Sequence, residues 1–132
     1  MTLVTGEVLL DTNIVIALLE REPLALAHFQ SDLEVSISVI TLGELLFGAE
    51  KSERVAENRS RAEAFADDCT VRSCDRATAR RYGAIKTDLR RKGRPIPEND
   101  IWIAATAIEH GLVLVTREEH FRRIEGFGIE TW

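Results

Sequence analysis

The chain has 132 residues, 45% hydrophobic, 30% charged and 6% aromatic, a balance typical of soluble globular domains that excludes disordered and disulfide-stapled classes. That length suits one domain, residues 1–132, and the formal net charge of −5 argues against a protein that coats nucleic acid through bulk charge. The longest apolar runs, "IVIALL" and "IWIAATAI", fall well short of the ~18 residues of a membrane span, and the start "MTLVTGE" lacks a basic leader region, so a cytoplasmic protein is expected.

In chain order, "VLL" (8–10) is a short apolar run that predicts a buried strand, followed by the helical patterns "NIVIALLE" and "LALAHFQ". "VSISV" (35–39) predicts a second strand, then "TLGELLFGAEKS" and a charged stretch from Arg54 to Asp68 predict two helices. A weaker strand, "TVRS" (70–73), precedes "DRATARRYGAIKTDLRRKG", with Asp75 as N-cap and Gly93 where a left-handed C-terminal residue belongs. On that helix Thr78, Tyr82, Ile85 and Leu89 share one stripe, whereas Arg76, Arg80 and Arg91 face the other way. Pro95 and Pro97 separate it from a helix starting at Asn99 or Asp100, "NDIWIAATAIEH", apolar on nearly every side and expected to pack closest to the sheet. "LVLV" (112–115) predicts another strand and "IETW" (129–132) an edge strand. Strands alternating with helices predict an α/β fold of three layers, α/β/α, around a central parallel sheet. Cys69 and Cys74 are the only cysteines, and at ~3.3 Å of extended chain per residue they stand too far apart for a disulfide, so both are expected as thiols.

In a parallel sheet with right-handed crossovers every strand ends at one edge, where ligands bind. Four carboxylates fall there. Asp11 follows the first strand, Glu44 lies in the first turn predicted after the second, Asp100 opens the apolar helix, and Glu118 follows "LVLVT". Each also has a structural explanation: Thr41 to Glu44 spells a capping box, Asp11 and Asp100 are favourable charges at helix N-termini, and Glu118 sits in a polar segment. Together, clustered carboxylates repel unless a cation neutralises them, and hard oxygen ligands suit Mg²⁺ or Mn²⁺. Other chemistries fit poorly. His28, His110 and His120 are scattered without zinc spacing and read as isolated surface histidines, there is no glycine-rich phosphate loop or nucleophile elbow, and Asp11 with Asn13 lacks the second aspartate of aspartyl-phosphate hydrolases.

The set "LLDTN", "SVITLGELLFGAE", "PENDIWIAATAIEHGLVLVT" and "REEHFRRI", in this order over nearly the whole chain, resembles the PIN-domain ribonucleases, most closely the VapC-type toxins of bacterial toxin–antitoxin pairs. The resemblance implies a parallel sheet flanked by helices and Mg²⁺- or Mn²⁺-dependent endonucleolytic cleavage of RNA. It assigns metal ligation to Asp11, Glu44 and Asp100 and the fourth acidic position to Glu118, with Thr12, Asn13 and Thr116 as assisting polar residues. That fourth position is more often aspartate in the family, and Glu119 beside Glu118 leaves its register open.

The resemblance further implies a VapB-like antitoxin and a toxin homodimer, with the helix from Arg54 to Asp68 available for either contact. Between Arg76 and Arg94 lie eight of the seventeen Lys and Arg residues; Arg76, Arg80, Arg90, Arg91 and Arg94 form either a track for RNA phosphates or an ordinary solvated face. A housekeeping ribonuclease would share the chemistry without the antitoxin. A non-catalytic binding module would be expected to have lost an acidic residue, and this chain keeps the full set.

Overall fold

The computed structural model describes residues 7–29 and 33–132; the opening "MTLVTG" and Gln30, at the end of the second predicted helix, lie outside them. The elements follow in the order β1 (Glu7–Leu10), α1 (Thr12–Leu19), α2 (Pro23–His28), β2 (Glu34–Ser38), α3 (Val39–Glu50), α4 (Val55–Asp67), β3 (Thr70–Arg72), α5 (Arg76–Arg91), α6 (Glu98–His110), β4 (Val113–Val115), a 3₁₀ turn (Glu119–Arg123) and β5 (Ile129–Glu130). All strand pairs are parallel, in the order β3-β2-β1-β4-β5.

Period-two alternation divides the buried residues between the two faces of the sheet. Val8 and Leu10 of β1 and Val115 of β4 join Ile14, Ile37, Leu45 and Ala62 in one core, under α1 to α4. Leu9 and Leu114 point the other way, against Ile85 and Leu89 of α5 and Ile101, Ala104 and Ala105 of α6. This gives the expected three layers. The alanines of α6 let the helix approach the sheet closely, and its buried positions run Ile101 and then Ile103 to Ala107 without a break.

Helix ends follow their local chemistry. Asp75 and Thr78 form a reciprocal capping box at the head of α5. Gly93 (φ 63°) and Gly111 (φ 65°) take left-handed conformations after α5 and α6, where a side chain would be strained. Two expectations are corrected. The helix after β2 starts at Val39, because the Ser38 hydroxyl accepts from Ile40 N at 3.0 Å and caps it. Thr41 is therefore buried inside α3, no capping box forms with Glu44, and Glu44 lies in the second turn rather than the first. The apolar helix α6 begins at Glu98, one or two residues earlier than predicted, which places Asp100 inside its first turn. Of "IETW", Ile129 and Glu130 pair as the edge strand, and Trp132 is buried beyond it. Both cysteines are free thiols. Among the described residues no helix is long and apolar enough to cross a membrane.

Candidate active site

A cleft of about 630 Å³ opens at the carboxyl edge of the sheet, and Asp11, Glu44, Asp100 and Glu118 all line it, with Thr12, Asn13, Asn99 and His120. Four separate elements thus deliver their carboxylates to one place.

Asp11 is the hinge between strand and helix. Its N–H still pairs with Val115 O of β4 at 2.9 Å, while its side chain caps α1 by accepting from Thr12 N at 2.8 Å. The second carboxylate oxygen accepts from the Thr116 hydroxyl at 2.7 Å, a bond spanning 105 residues of sequence. The residue is only 3% exposed. Burial pushes its pKa up to about 6; the Thr116 and Thr12 hydrogen bonds pull down, and the charges of Asp100 and Glu44 push up.

Glu44 is held from two sides. The Thr12 hydroxyl lies 2.5 Å from one oxygen and shares a further hydrogen bond with the Thr41 hydroxyl at 3.1 Å, and Asn99 Nδ2 donates to the other oxygen at 3.3 Å. Asp100 is half-buried, and burial raises its pKa against the opposing hydrogen bond and charge of His120, whose Nε2 lies 2.6 Å from Asp100 Oδ2. The other ring nitrogen of His120 stands 3.8 Å from Glu118 Oε2. His120 is therefore no isolated surface histidine. Its signal in the sequence was its place two residues past Glu118 in the segment that leaves a strand end. Thr41 and Asn99 were likewise missed as supports of the cleft.

The two glutamates after β4 differ in placement. Glu118 lines the cleft with its side chain 52% exposed, and its N–H bonds to the Thr116 hydroxyl at 3.0 Å. Glu119 starts the 3₁₀ turn with its side chain 86% exposed, paired to Arg122 and outside the cleft. The arginines Arg76, Arg80, Arg90 and Arg91 are exposed along α5 and do not line the cleft.

The donor set is all oxygen, apart from His120. The side-chain oxygen of Asn13, which lines the cleft, is buried and has no hydrogen-bond partner. Among the described residues no three His, Cys, Asp or Glu side chains stand close enough to grip one ion together. Carboxylate, hydroxyl and amide oxygens are the hard donors that Mg²⁺ or Mn²⁺ takes, with water filling the positions the protein does not supply.

Comparison with known proteins agrees with this architecture. Residues 8–126 match the PIN domain family. Ribonuclease VapC2 of Haemophilus influenzae is 39% identical over 127 residues, covering 94% of this chain and 96% of that protein. The tRNA(fMet)-specific endonuclease VapC of Shigella flexneri is 36% identical with the same coverage. Among solved structures, VapBC2 of Rickettsia felis bound to a DNA fragment from its promoter superposes with a TM-score of 0.86 at 29% identity, covering 97% of this chain and 99% of that one. DNA-bound VapBC of Salmonella typhimurium gives 0.81 at 36% identity over 97% and 99%. The chain belongs to the PIN-domain family and, within it, to the VapC ribonucleases.

Proposed function

We propose that this chain is the toxin of a VapBC-type pair and hydrolyses RNA phosphodiester bonds with Mg²⁺ or Mn²⁺ held by Asp11, Glu44 and Asp100, with Glu118 at the mouth as the fourth acidic residue. The observation that carries the reading is the convergence of these four carboxylates in one cleft. A bound divalent cation would supply Lewis-acid charge, acidifying a water and offsetting the negative charge that builds on phosphorus and the departing oxygen. The chain's own residues do the positioning. Thr116 and the Thr12 N–H hold both Asp11 oxygens, Thr12 and Asn99 hold those of Glu44, and His120 orients Asp100. Ile16 and Pro97 complete the wall with apolar surface. His120 is the sole histidine of the cleft lining. With no histidine pair to activate a ribose 2′-hydroxyl, the nucleophile in this reading is water.

In the same reading an antitoxin would dock beside this cleft. A groove of about 280 Å³ between α1, α3 and α4 is lined by Leu19, Leu45, Ala49 and Ala62, and shares Ile16 and Glu44 with the cleft. Ile16 is 42% exposed there. The VapBC complexes among the structural relatives support a VapB-like partner, and in this reading its segment lies in the groove, with α4 as one of the walls.

Purified chain incubated with total RNA tests the reading. Cleavage is expected with Mg²⁺ or Mn²⁺ and lost on chelation, and the products should carry 5′-phosphate and 3′-hydroxyl ends. Cleavage that survives chelation, or 2′,3′-cyclic phosphate ends, overturns the chemistry. Sedimentation of the chain without antitoxin tests the homodimer.

A further inference from the structure

Beside the acidic cleft lies a second hollow, of about 360 Å³, lined by Arg94, Glu119, His120, Arg122 and Arg123. His120 belongs to both linings, so it forms the wall between the two. The hollow carries three guanidinium groups against one carboxylate, the opposite balance to the cleft.

Local structure fixes the backbone at Arg94 and the side chains of Arg122 and Arg123. Gly93 turns left-handed after α5, and the N–H groups of Gly93 and Arg94 return to Arg90 O at 3.1 Å and Leu89 O at 3.0 Å, closing the helix end and directing the chain into Pro95. Arg123 Nη1 donates to Pro95 O at 3.0 Å, tying the 3₁₀ turn to this connection. Arg122 Nε pairs with Glu119 at 3.2 Å. Each of these guanidinium groups keeps further N–H donors free for a planar, two-point contact with an anion. Two lysines of the same region are engaged otherwise: Lys86 pairs with Glu98, and Lys92 pairs with Asp88 at 2.8 Å.

We propose that this hollow is a phosphate-binding subsite for the RNA strand, and that a strand whose scissile phosphate lies in the cleft passes His120 and sets a flanking phosphate on Arg94 and Arg122, with Arg123 behind them. The inference rests on the nuclease reading of the cleft. It resolves a physical conflict within that reading, since an acidic cleft repels the polyanion it must bind and an adjoining basic hollow offsets that repulsion. It also narrows the basic segment noted in the sequence to its last member, Arg94, joined by two arginines that lie far from it in the chain.

The test measures binding of a short fluorescein-labelled single-stranded RNA of mixed sequence by anisotropy, over a range of NaCl at fixed MgCl₂, in an Asp11→Asn background that is meant to bind without cutting. Arg94→Ala and Arg122→Ala should each weaken binding and flatten the slope of log Kd against log salt by about 0.7, the value for one phosphate contact on a single strand. Lys51→Ala, which removes a cation at the opposite end of α3, should leave the slope alone. Arg123 is kept because its bond to Pro95 also supports the fold. Unchanged slopes in both arginine variants overturn the subsite and leave the nuclease reading standing. A background that still cuts, or a parent chain that binds no RNA, overturns the cleft reading and the subsite with it. Loss of binding to the antitoxin, with RNA slopes unchanged, would assign the hollow to a protein partner and overturn the proposal.

Discussion

Burial pushes the Asp11 carboxyl up to about 6, against the pull of its two hydrogen bonds, whereas an unfolded aspartate titrates near 3.9. Between about pH 4 and 6 the folded chain therefore holds a proton that the unfolded chain has released. Stability of the metal-free protein should fall as pH rises through that window and level off above it. The roughly two-unit difference corresponds to about 3 kcal/mol. Asp11→Asn removes this titration while keeping an oxygen to cap α1, so in chelator the variant should melt later than wild type at neutral pH, with its pH dependence between 4 and 6 much reduced. Its cleavage of RNA should drop about 100-fold or more, because the charge that would face the cation is gone. Melting curves across pH and a cleavage assay check both; a variant that melts earlier and still cuts would make Asp11 a capping residue only. His120→Ala should raise the Mn²⁺ concentration for half-maximal binding about tenfold by releasing Asp100, with His120→Gln recovering part of the loss, as calorimetric titration would read. At the ambiguous register, Glu118→Gln should raise the metal requirement, Glu118→Asp should keep much of the activity, and Glu119→Gln should change little. A shift from Glu119→Gln alone would place the fourth position one residue later.

At the scale of elements, the junctions decide where the side chains of the site point. Strand β2 runs into α3 with no intervening turn, Ser38 serving as the last strand residue and as the helix cap. Val39 and Ile40 are β-branched and favour a strand by local preference, which is why the sequence placed the helix start at Thr41. Nothing local marks the true boundary, since it depends on one hydroxyl reaching back to Ile40 N. The cap of α5 was legible because Asp75 and Thr78 satisfy each other within one turn. By contrast, the roles of Thr12, Asn99 and His120 come from partners 32, 55 and 20 residues away, beyond the reach of any periodic pattern. Helix α6 carries Asp100, and the fully buried Ala104 and Ala105 set its distance from the sheet. Ala104→Leu should therefore cost about 2 kcal/mol by overpacking and also weaken metal binding, because lifting α6 displaces Asp100. Denaturant titration and metal calorimetry on one sample test the pair of effects; lost stability with unchanged metal affinity would show that the N-terminus of α6 is held independently of its packing.

For the whole molecule, alternating strands and helices made the parallel sheet readable, and the common edge of that sheet made the carboxylate cluster readable before any coordinates. Strand order was not legible in the same way: β1 lies at the centre, between β2 and β4, and pairing across such separations is set by tertiary burial rather than by local pattern. A chain cut after Leu112 lacks β4 and the Thr116 hydroxyl, and so should neither fold cooperatively nor cleave RNA, which circular dichroism and an activity assay would check. The bonds from Asp11 to Val115 and Thr116 carry a consequence for timing. Strand β1 can pair on one edge with β2 early, but its other edge is completed only by β4, which lies more than 100 residues further along the chain. Until those distant residues have paired, Asp11 lacks the Thr116 hydroxyl that fixes its second carboxylate oxygen, so a partly folded chain holds β1 on β2 without yet having a cleft.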